Sequence, residues 1–308
     1  MQDQRRLTPF VSIVIPTRNN EQDLFDCLES IKNLTYPSNK IEIIIWDNDS
    51  SQISRDKINT YLINMQKRRN LNIHFIEHNG NLGVYTSRDE LLKRISSDTD
   101  FILSIDDDVI LPPQIFEKLL PLFHKNKSIG IVGPKTVYDD SSFITAHGAG
   151  FINWWSGRYY DIYAEKVLEC DYVIGCCMLI KKAVIDQLGG FDRDYYTSHG
   201  EVDFCLRAKK IGYKTIYYPN AVVRHRVARG GTQTIERKYY VFRNKLFVIK
   251  KNAPYPHKWI ALTIYFLFWP AKSIFDSIKR NKRVDLQEIR IILRAVTDGW
   301  LNRTGERF

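Results

Sequence analysis

The sequence predicts an α/β fold with a mostly parallel sheet flanked by helices. Short runs rich in valine and isoleucine alternate with stretches whose apolar residues recur at helical spacing, such as Leu24, Leu28 and Ile31. This alternation is typical of parallel strands joined by right-handed helical crossovers. The first four predicted strands are residues 11–15, 41–45, 73–76 and 101–105.

The second part of the chain continues the alternation with longer irregular stretches between the elements. Pro112 and Pro113 open a helix that carries Phe116, Leu119 and Phe123 on one face. Further strands are expected at residues 129–132, 172–180 and 221–225, and helices at residues 182–188 and 202–209, the second of which ends at Gly212.

The composition is that of a globular protein with a positive net charge. The 308 residues are 44% hydrophobic and 26% charged, and 45 Lys and Arg against 35 Asp and Glu give a formal charge of +10. This excess suits an anionic ligand or an anionic membrane surface. Nucleic acid is not an expected partner, because the sequence has no zinc-finger spacing, RNP-type aromatic motif or basic-region heptad.

The cysteines and the first residues indicate a cytoplasmic protein. The sequence contains five cysteines, an odd number, and they are scattered through apolar segments. This pattern does not indicate a disulfide framework. Residues 1–10 contain no apolar signal-peptide core. We therefore expect a reducing cytosol, with peripheral attachment to the inner face of the cell membrane as a further expectation from the C-terminal part.

An acidic triplet lies at the end of the fourth predicted strand. In FILSIDDDVI, Asp106, Asp107 and Asp108 directly follow an apolar run. Neighbouring carboxylates repel one another, and more strongly where they are partly removed from water. Their oxygens suit a hard divalent ion, Mg²⁺ or Mn²⁺, which can in turn clamp a diphosphate. The triplet alone leaves two interpretations, a metal site and a solvated acidic turn.

Polar residues also end the other predicted parallel strands. Thr17, Asp47 and Asn79 follow the first three strands as Asp106 follows the fourth. Open parallel sheets bind ligands outside the carboxyl ends of their strands, so we expect a nucleotide site at this edge. The sequence contains neither GxGxxG nor GxxxxGK followed by Ser or Thr, which argues against a dinucleotide enzyme or a P-loop NTPase.

The last part of the chain has a different composition. Residues 235–251 are aromatic and basic, and residues 259–269 are nearly all apolar before Pro270 interrupts them. A membrane-spanning helix needs about 20 apolar residues, so this stretch is short for one. Its aromatic residues and flanking lysines suit a helix that lies on a membrane surface. An ordinary core helix or a dimer helix is the alternative, which leaves a homo-oligomer open.

Five ordered motifs between about Val11 and Pro254 resemble those of the family-2 inverting nucleotide-sugar glycosyltransferases, which have the GT-A fold. The closing AVTDGW is similar to the tails of bacterial and archaeal surface-polysaccharide members, which include rhamnosyltransferases. The motifs are the opening VSIVIPTRNN, the nucleotide segment IIIWDNDSS, the stretch HNGNLGVYTSRDELL, the metal motif SIDDDV, and an acceptor-side block from VIGCCMLIKK to NAVVRH.

The resemblance implies how the chain is organised. Residues 1–254 would form the GT-A glycosyltransferase domain, with a nucleotide-binding half to about residue 135 and an acceptor half over about residues 136–254. Residues 255–308 would form a basic and apolar helical extension, associated with a membrane or with another subunit. The implied reaction moves a sugar from a UDP-, dTDP- or GDP-sugar to a hydroxyl of a glycan or lipid-linked glycan.

The resemblance also assigns residues to the donor site. Asp106 and Asp108 match the metal motif, and His225 falls where family members often place a second metal or phosphate contact, although a strand-end histidine without a ligand remains the alternative. The implied cofactor is Mg²⁺ or Mn²⁺. The matching nucleotide-binding residues are Thr17, Asn19, Asp47, Asn81, Arg88, Asp106 and Asp107.

The catalytic base is the position at which this chain departs from the family pattern. Family members commonly read EDVDL, whereas this chain reads Gly200-Glu201-Val202-Asp203-Phe204, with Gly200 and Glu201 at the positions of the family's Glu and Asp. Glu201 lies in the first turn of a predicted helix and is the candidate base, one methylene longer than the usual aspartate. Asp203 is the alternative base, with a structural cap or salt bridge as its other interpretation.

Two other functions are compatible with a parallel sheet that bears acidic residues. A metal-dependent sugar nucleotidyltransferase usually needs a glycine-rich loop with Lys or Arg after the first strand, which residues 16–20 lack. A non-catalytic sugar-nucleotide-binding protein would keep the fold and the donor site without turnover. Metal-dependent nucleotide binding followed by donor turnover separates both functions from a glycosyltransferase.

Overall fold

The fold is described from a computed structural model of the chain. It describes residues 8–69, 71–140, 144–226, 234–281 and 285–307.

The first half is a parallel sheet with helical crossovers, as the alternation of apolar runs predicts. Four strands stand in the order β3-β2-β1-β4 and pair in parallel. Their carboxyl ends therefore meet at one edge, where ligands bind in sheets of this kind. The strands are β1 (Val11–Thr17), β2 (Ile41–Asn48), β3 (Asn72–His78) and β4 (Phe101–Ile105), and the helices between them are α1 (Glu21–Lys32), α2 (Gln52–Arg69) and α3 (Val84–Leu92).

The second half extends the same sheet through an antiparallel strand. Strand β11 (Cys177–Lys181) inserts antiparallel between β4 and β6 (Ile129–Tyr138). Strand β12 (Lys214–His225) then pairs in parallel with β6. The remaining elements are β5 (Val109–Ile110), β7 (Thr145–His147), β8 (Ala149–Asn153), β9 (Arg158–Ile162), β10 (Leu168–Cys170), α4 (Ile115–Lys125), α5 (Lys182–Leu188) and α6 (Gly200–Lys210).

Two predicted strands differ in extent from the observed ones. The strand predicted at residues 172–180 begins only at Cys177, because residues 173–176 form a loop that packs beneath Arg88 and Glu201. The strand predicted at residues 221–225 starts seven residues earlier, at Lys214, and the register shifts between Tyr218 and Val222. Alternating apolar residues do not reveal such an irregularity, since each segment keeps its own period.

The hydrophobic core lies on both faces of the sheet. One cluster packs α1, α2 and α4 against one face, with Leu24, Ile58 and Phe116 fully buried. The other packs α3, α5 and α6 against the opposite face around Phe204. The five cysteines are free and buried, in agreement with the predicted absence of a disulfide framework.

Four helices close the described chain: α7 (Ile235–Asn252), α8 (His257–Leu267), α9 (Trp269–Asn281) and α10 (Leu286–Trp300). Helix α7 packs on α6 and also on α10, so it joins the sheet domain to the helices that follow. The predicted boundary near residue 254 falls just after α7. Over the described residues, no helix combines the length and the apolar character that crossing a bilayer requires.

Candidate active site

A cavity of about 840 Å³ opens at the carboxyl ends of the parallel strands. Its floor includes Thr17 at the end of β1, Asn48 at the end of β2, and the acidic triplet after β4. Its opposite wall comes from the end of β7, from β9, from residues 172–176 and from the segments that begin α6 and α7. The cavity therefore lies at the edge of the sheet where the sequence predicts a nucleotide site.

The central carboxylate of the triplet is held by the loop that follows β1. Thr17 Oγ1 donates a hydrogen bond to Asp107 Oδ2 over 2.6 Å, and Asn20 Nδ2 donates to Asp107 Oδ1 over 3.1 Å. Burial nevertheless dominates and raises the pKa of Asp107 to about 7. Asp107 thus links β1 to the triplet and lines the cavity, while its neighbours face the histidine described next.

Asp106, Asp108 and His225 can together hold a metal ion, because one ligand atom from each lies within 4.8 Å of the others. Asp108 Oδ1 lies 3.0 Å from His225 Nε2 and is buried without a further hydrogen-bond partner among the described residues. Two carboxylates and an imidazole are donors that suit Mn²⁺ or Mg²⁺. The residues present therefore fit the divalent ion that the sequence predicts.

The ionisation of this cluster also favours a cation. Burial opposes the imidazolium form of His225, but Cys176 and Asp108 outweigh burial and raise the pKa of His225 to about 11. Burial likewise raises the pKa of Asp106, against the attraction of Arg88. A metal ion at this position would replace the imidazole proton and neutralise both carboxylates.

Arg88 connects the triplet to the far wall of the cavity. Its side chain is 2% exposed, and Nη2 donates both to Asp106 Oδ1 and, over 2.7 Å, to the Gly175 carbonyl. Its guanidinium lies 5.5 Å from the centre of the Tyr85 ring. A buried arginine with a fixed direction is a preorganised positive charge next to the acidic triplet.

Glu201 faces the same cavity from the first turn of α6. Its side chain is buried, and Tyr85 donates a hydrogen bond to Oε2. Burial raises the pKa of Glu201, although this hydrogen bond acts in the opposite direction. Gly200 allows the contact, because a Cβ there would lie 2.5 Å from the Tyr85 ring. The glycine in place of the family's acidic residue thus has a steric reason.

Asp203, the alternative base, lies outside the cavity. Its carboxylate is fully buried and accepts hydrogen bonds from Arg207 Nε and Asn252 Nδ2, both over 2.7 Å. The first contact lies within α6, and the second joins α6 to the last residue of α7. This geometry supports the other interpretation of Asp203, a structural salt bridge, over a role as the base.

Two of the predicted nucleotide-binding residues stand behind the cavity wall. Asp47 is fully buried and pairs with Arg55 Nε over 2.6 Å, while Asn48 lines the cavity next to it. Asn81 Oδ1 accepts a hydrogen bond from Asn48 Nδ2 over 2.7 Å, so it positions that side chain. Asn19 lines the cavity, and its Oδ1 also accepts from the Ser51 amide over 2.7 Å.

Several lining residues are missing from the sequence-based set. Tyr85 lies three residues before Arg88 on α3, a spacing that places both on one helix face and could have indicated it. Asn20 and Asn48 adjoin predicted residues and could have been found in the same way. No local pattern singles out the individual residues of the opposite wall, which include His147, Tyr159, Asp161, Tyr172, His199 and Arg237.

The family pattern described as "Glycosyl transferase family 2" matches residues 12–189, which is more than half of the chain. The chain belongs to glycosyl transferase family 2. This match covers β1 to α5 and so contains the acidic triplet, Tyr85 and Arg88, whereas α6 with Glu201 follows it. The resemblance that the sequence motifs indicated is confirmed.

The curated relatives of this family 2 chain include glycosyltransferases of archaea and bacteria. Glycosyltransferase AglE of Haloferax volcanii is 20% identical over 97% of this chain and 94% of its own length. An N-acetylglucosaminyl-diphospho-decaprenol L-rhamnosyltransferase of Mycobacterium tuberculosis is 25% identical over 42% of this chain and 48% of its own length. Over 80% of its own length, this chain is 24% identical to an uncharacterized protein of Sinorhizobium fredii. It spans only 28% of the length of that protein.

Solved structures confirm the predicted GT-A fold of this family 2 chain. A mannosyltransferase from Pyrobaculum calidifontis, in complex with GDP-Man and Mn²⁺, superposes with a TM-score of 0.62 at 14% identity over 97% of this chain and 89% of that one. TarS residues 1–349 from S. aureus, in complex with UDP-GlcNAc, superpose with a TM-score of 0.64 at 15% identity over 95% and 81%.

Proposed function

We propose that this family 2 protein is a metal-dependent inverting glycosyltransferase that moves a sugar from a nucleoside diphosphate to an acceptor hydroxyl. The observation that supports the proposal is the common cavity of Glu201 and the acidic triplet. Arg88, which contacts Asp106, and Tyr85, which contacts Glu201, both line this cavity. A general base and a site for a leaving diphosphate thus flank one space, as a single displacement requires.

Glu201 acts as the general base in this reaction. Its buried carboxylate, once deprotonated, accepts the proton of the acceptor hydroxyl as the acceptor oxygen attacks the anomeric carbon. The bond from that carbon to the diphosphate oxygen breaks in the same step, so an α-linked donor gives a β-linked product. The hydrogen bond from Tyr85 holds the carboxylate in its direction toward the cavity.

The donor diphosphate lies next to the triplet in this proposal. Asp106, Asp108 and His225 would hold a divalent ion, which would neutralise the charge that develops on the leaving diphosphate. Arg88 adds a fixed positive charge from behind Asp106. Thr17, Asn19 and Asn48 line the part of the cavity nearest β1 and β2, where the nucleoside would bind.

The proposed classes of donor and acceptor agree with the names of curated relatives. UDP-, dTDP- and GDP-sugars are the candidate donors, and a glycan or lipid-linked glycan is the candidate acceptor. One relative is a poly(ribitol-phosphate) beta-glucosyltransferase of Bacillus spizizenii, and the mycobacterial relative is a rhamnosyltransferase that acts on a diphospho-decaprenol glycan by its name. Both names are compatible with an acceptor that is bound near a membrane.

A surface of the last helices supports attachment to an anionic membrane. Leu286, Leu293 and Trp300 repeat every seven residues along α10 and are all more than half exposed. The ring centres of Trp300 and of Phe266 on α8 lie 5.3 Å apart. The residue after Phe266, Leu267, is 75% exposed and so extends the apolar surface onto α8. Exposed apolar residues next to Lys and Arg side chains are typical of helices that lie on an anionic membrane surface. A second copy of the chain is the alternative occupant.

A panel of nucleotide sugars tests the central proposal. The protein is incubated with UDP-, dTDP- and GDP-sugars and Mn²⁺, and release of the nucleoside diphosphate and thermal stabilisation are measured. We expect one base to stabilise the protein in a metal-dependent way and one of its sugars to be turned over. Formation of pyrophosphate from a nucleoside triphosphate and a sugar phosphate would instead identify a nucleotidyltransferase. Binding without turnover on any acceptor or water would indicate a non-catalytic protein.

A further inference from the structure

Two neighbouring residues of α7, Arg243 and Asn244, are fully buried beneath the turn that leads to Glu201. This turn, Thr197–Ser198–His199, directly precedes α6 and lines the cavity. Burial of a polar side chain destabilises the folded state unless each polar atom has a hydrogen-bond partner. Their contacts therefore indicate what these two residues do in the fold.

The turn has an unfavourable backbone conformation at two successive positions. Ser198 has φ of 61° and His199 has φ of 68°, in the left-handed region that residues with a side chain seldom adopt. Such a conformation persists only when the surroundings hold it in place, and it is frequent at active sites. The amide of Asp203 donates to the His199 carbonyl, so the direction of this turn sets the direction of α6 and of Glu201.

Asn244 supplies the contacts that hold the turn. Its Nδ2 donates hydrogen bonds to the carbonyl oxygen of Thr197 and, over 2.9 Å, to that of Ser198. Both acceptors belong to the residues around the first left-handed position. One carboxamide therefore binds two successive carbonyls of a backbone that would otherwise relax.

Arg243 fixes the orientation of this carboxamide. Arg243 Nε donates to Asn244 Oδ1 over 2.9 Å, which directs Nδ2 toward the turn. The guanidinium is itself held, because Nη1 donates to the Gly305 carbonyl over 2.7 Å and its centre lies 4.8 Å from the Tyr240 ring. The pair thus forms a rigid support between the last described segment and the active-site turn.

We infer that Asn244 is a positioning residue for the catalytic base: it holds the left-handed turn at residues 198–199 so that Glu201 points into the cavity. This inference depends on the proposed role of Glu201 in glycosyl transfer. Asn244 does not line the cavity and contacts neither the metal cluster nor the nucleoside side. Its loss should therefore affect the proton transfer step and not the binding of the donor.

The test compares Asn244→Asp with wild type and with a control on the same helix. Aspartate keeps the shape of the side chain but replaces the two donated hydrogen bonds by repulsion from two carbonyls. The control is Lys250→Ala, which removes hydrogen bonds from Lys250 Nζ to the Gly299 and Trp300 carbonyls and leaves the turn untouched. Asn244→Ser, which is uncharged and retains one donor, is the second variant if the aspartate does not fold.

We expect Asn244→Asp to lower kcat at least tenfold while the dissociation constant of nucleoside diphosphate with Mn²⁺ stays within twofold of wild type. A loosened turn exposes Glu201 to water, so its raised pKa falls and the acid limb of the kcat profile moves to lower pH. Asn244→Ser should change kcat and the acid limb in the same directions, by less. Lys250→Ala should leave both unchanged.

Folded variants at Asn244 whose kcat and acid limb match those of Lys250→Ala would overturn the inference. An equal loss of kcat and of nucleotide binding would overturn it as well, since that pattern reports general disruption of the site. A wild-type protein without transferase activity is a different result, because it rejects the proposed function itself and is seen before any variant is compared.

Discussion

Tyr85 of α3 donates a hydrogen bond to the carboxylate of Glu201, which lies 116 residues further along the chain. Gly200 makes this contact possible because it has no side chain where the Tyr85 ring packs. The same helix carries Arg88, which contacts Asp106. Helix α3 therefore connects the candidate base to the candidate metal site, and its two polar side chains can be tested separately.

Replacing Tyr85 by Phe should slow transfer and shift its pH dependence. The hydrogen bond lowers the pKa of Glu201, so its loss should raise that pKa further above the usual value. The base then stays protonated up to a higher pH, and the acid limb of the kcat profile moves upward. We also expect kcat at its optimum to fall about tenfold, which corresponds to roughly 1.4 kcal/mol. Steady-state kinetics over a pH series measures both effects, and an unshifted acid limb would contradict the proposed contact.

Replacing Glu201 by Gln should abolish transfer while donor binding persists. The amide has nearly the shape of the carboxylate but cannot accept the acceptor proton, and general bases contribute about 10²- to 10⁴-fold to a rate. Transfer is measured with the donor found in the nucleotide-sugar panel, and binding with the nucleoside diphosphate and Mn²⁺. Full transfer activity in Glu201→Gln would show that another group is the base.

Asp203→Asn should reduce stability and spare the chemistry. Asp203 accepts hydrogen bonds from Arg207 and Asn252 and lies outside the cavity. A charge-assisted hydrogen bond contributes about 1.5–3 kcal/mol, so the free energy of unfolding should fall by roughly 2 kcal/mol. Chemical denaturation followed by tryptophan fluorescence measures this loss. If the folded variant loses transfer as completely as Glu201→Gln does, the structural role of Asp203 is wrong.

Asp108→Asn should remove the dependence of nucleotide binding on a divalent ion. Asp108 is a ligand of the candidate metal cluster, and its Oδ1 also contacts His225. We expect stabilisation by nucleoside diphosphate to become the same with Mn²⁺ and with EDTA, read from thermal unfolding. Asp186→Asn on α5 is the matched control, since Asp186 pairs with Lys182 and lines neither the cavity nor the cluster. If EDTA has no effect on wild type, the metal site is refuted.

The sequence motifs predict residues for the proposed donor side of the site in more detail than for its acceptor side. The acidic triplet follows a predicted strand, and Arg88 lies on the helical crossover before that strand. Local patterns therefore place both at one edge of the sheet. Asp47 shows where such reasoning stops. The family resemblance assigns it to the nucleotide site, whereas in the structure Arg55 on α2 pairs with it and the next residue, Asn48, lines the cavity.

Local sequence patterns also do not predict strand direction or contacts between distant segments. Periodicity indicates that Cys177–Lys181 is a strand but not that it runs antiparallel between β4 and β6. The contact of Tyr85 with Glu201, and of Asn244 with the turn before it, depends on how α3, α6 and α7 meet in space. One sequence gives residue types and spacing, whereas these contacts depend on packing between distant segments.

The exposed residues of α10 provide the last prediction, a loss of membrane binding. Leu286 and Leu293 are 64% and 56% exposed on one face of the helix. Burial of a leucine side chain contributes roughly 1.5–3 kcal/mol, so the double variant Leu286→Ser, Leu293→Ser should bind anionic vesicles at least about tenfold more weakly. Sedimentation with vesicles of phosphatidylcholine and phosphatidylglycerol measures this change.

The matched control for this double variant is Ile53→Ser, Ile63→Ser on α2, whose side chains are 70% and 53% exposed. Its vesicle binding should equal that of wild type, since α2 lies on the nucleotide half of the sheet. Equal binding by wild type and by the α10 variant would exclude this face as a membrane contact. A wild-type dimer that becomes monomeric in the α10 variant, without vesicle binding by either, would instead show that the face joins two copies of the chain. Size-exclusion chromatography with light scattering distinguishes these outcomes, because only association of two copies doubles the measured mass in the absence of lipid.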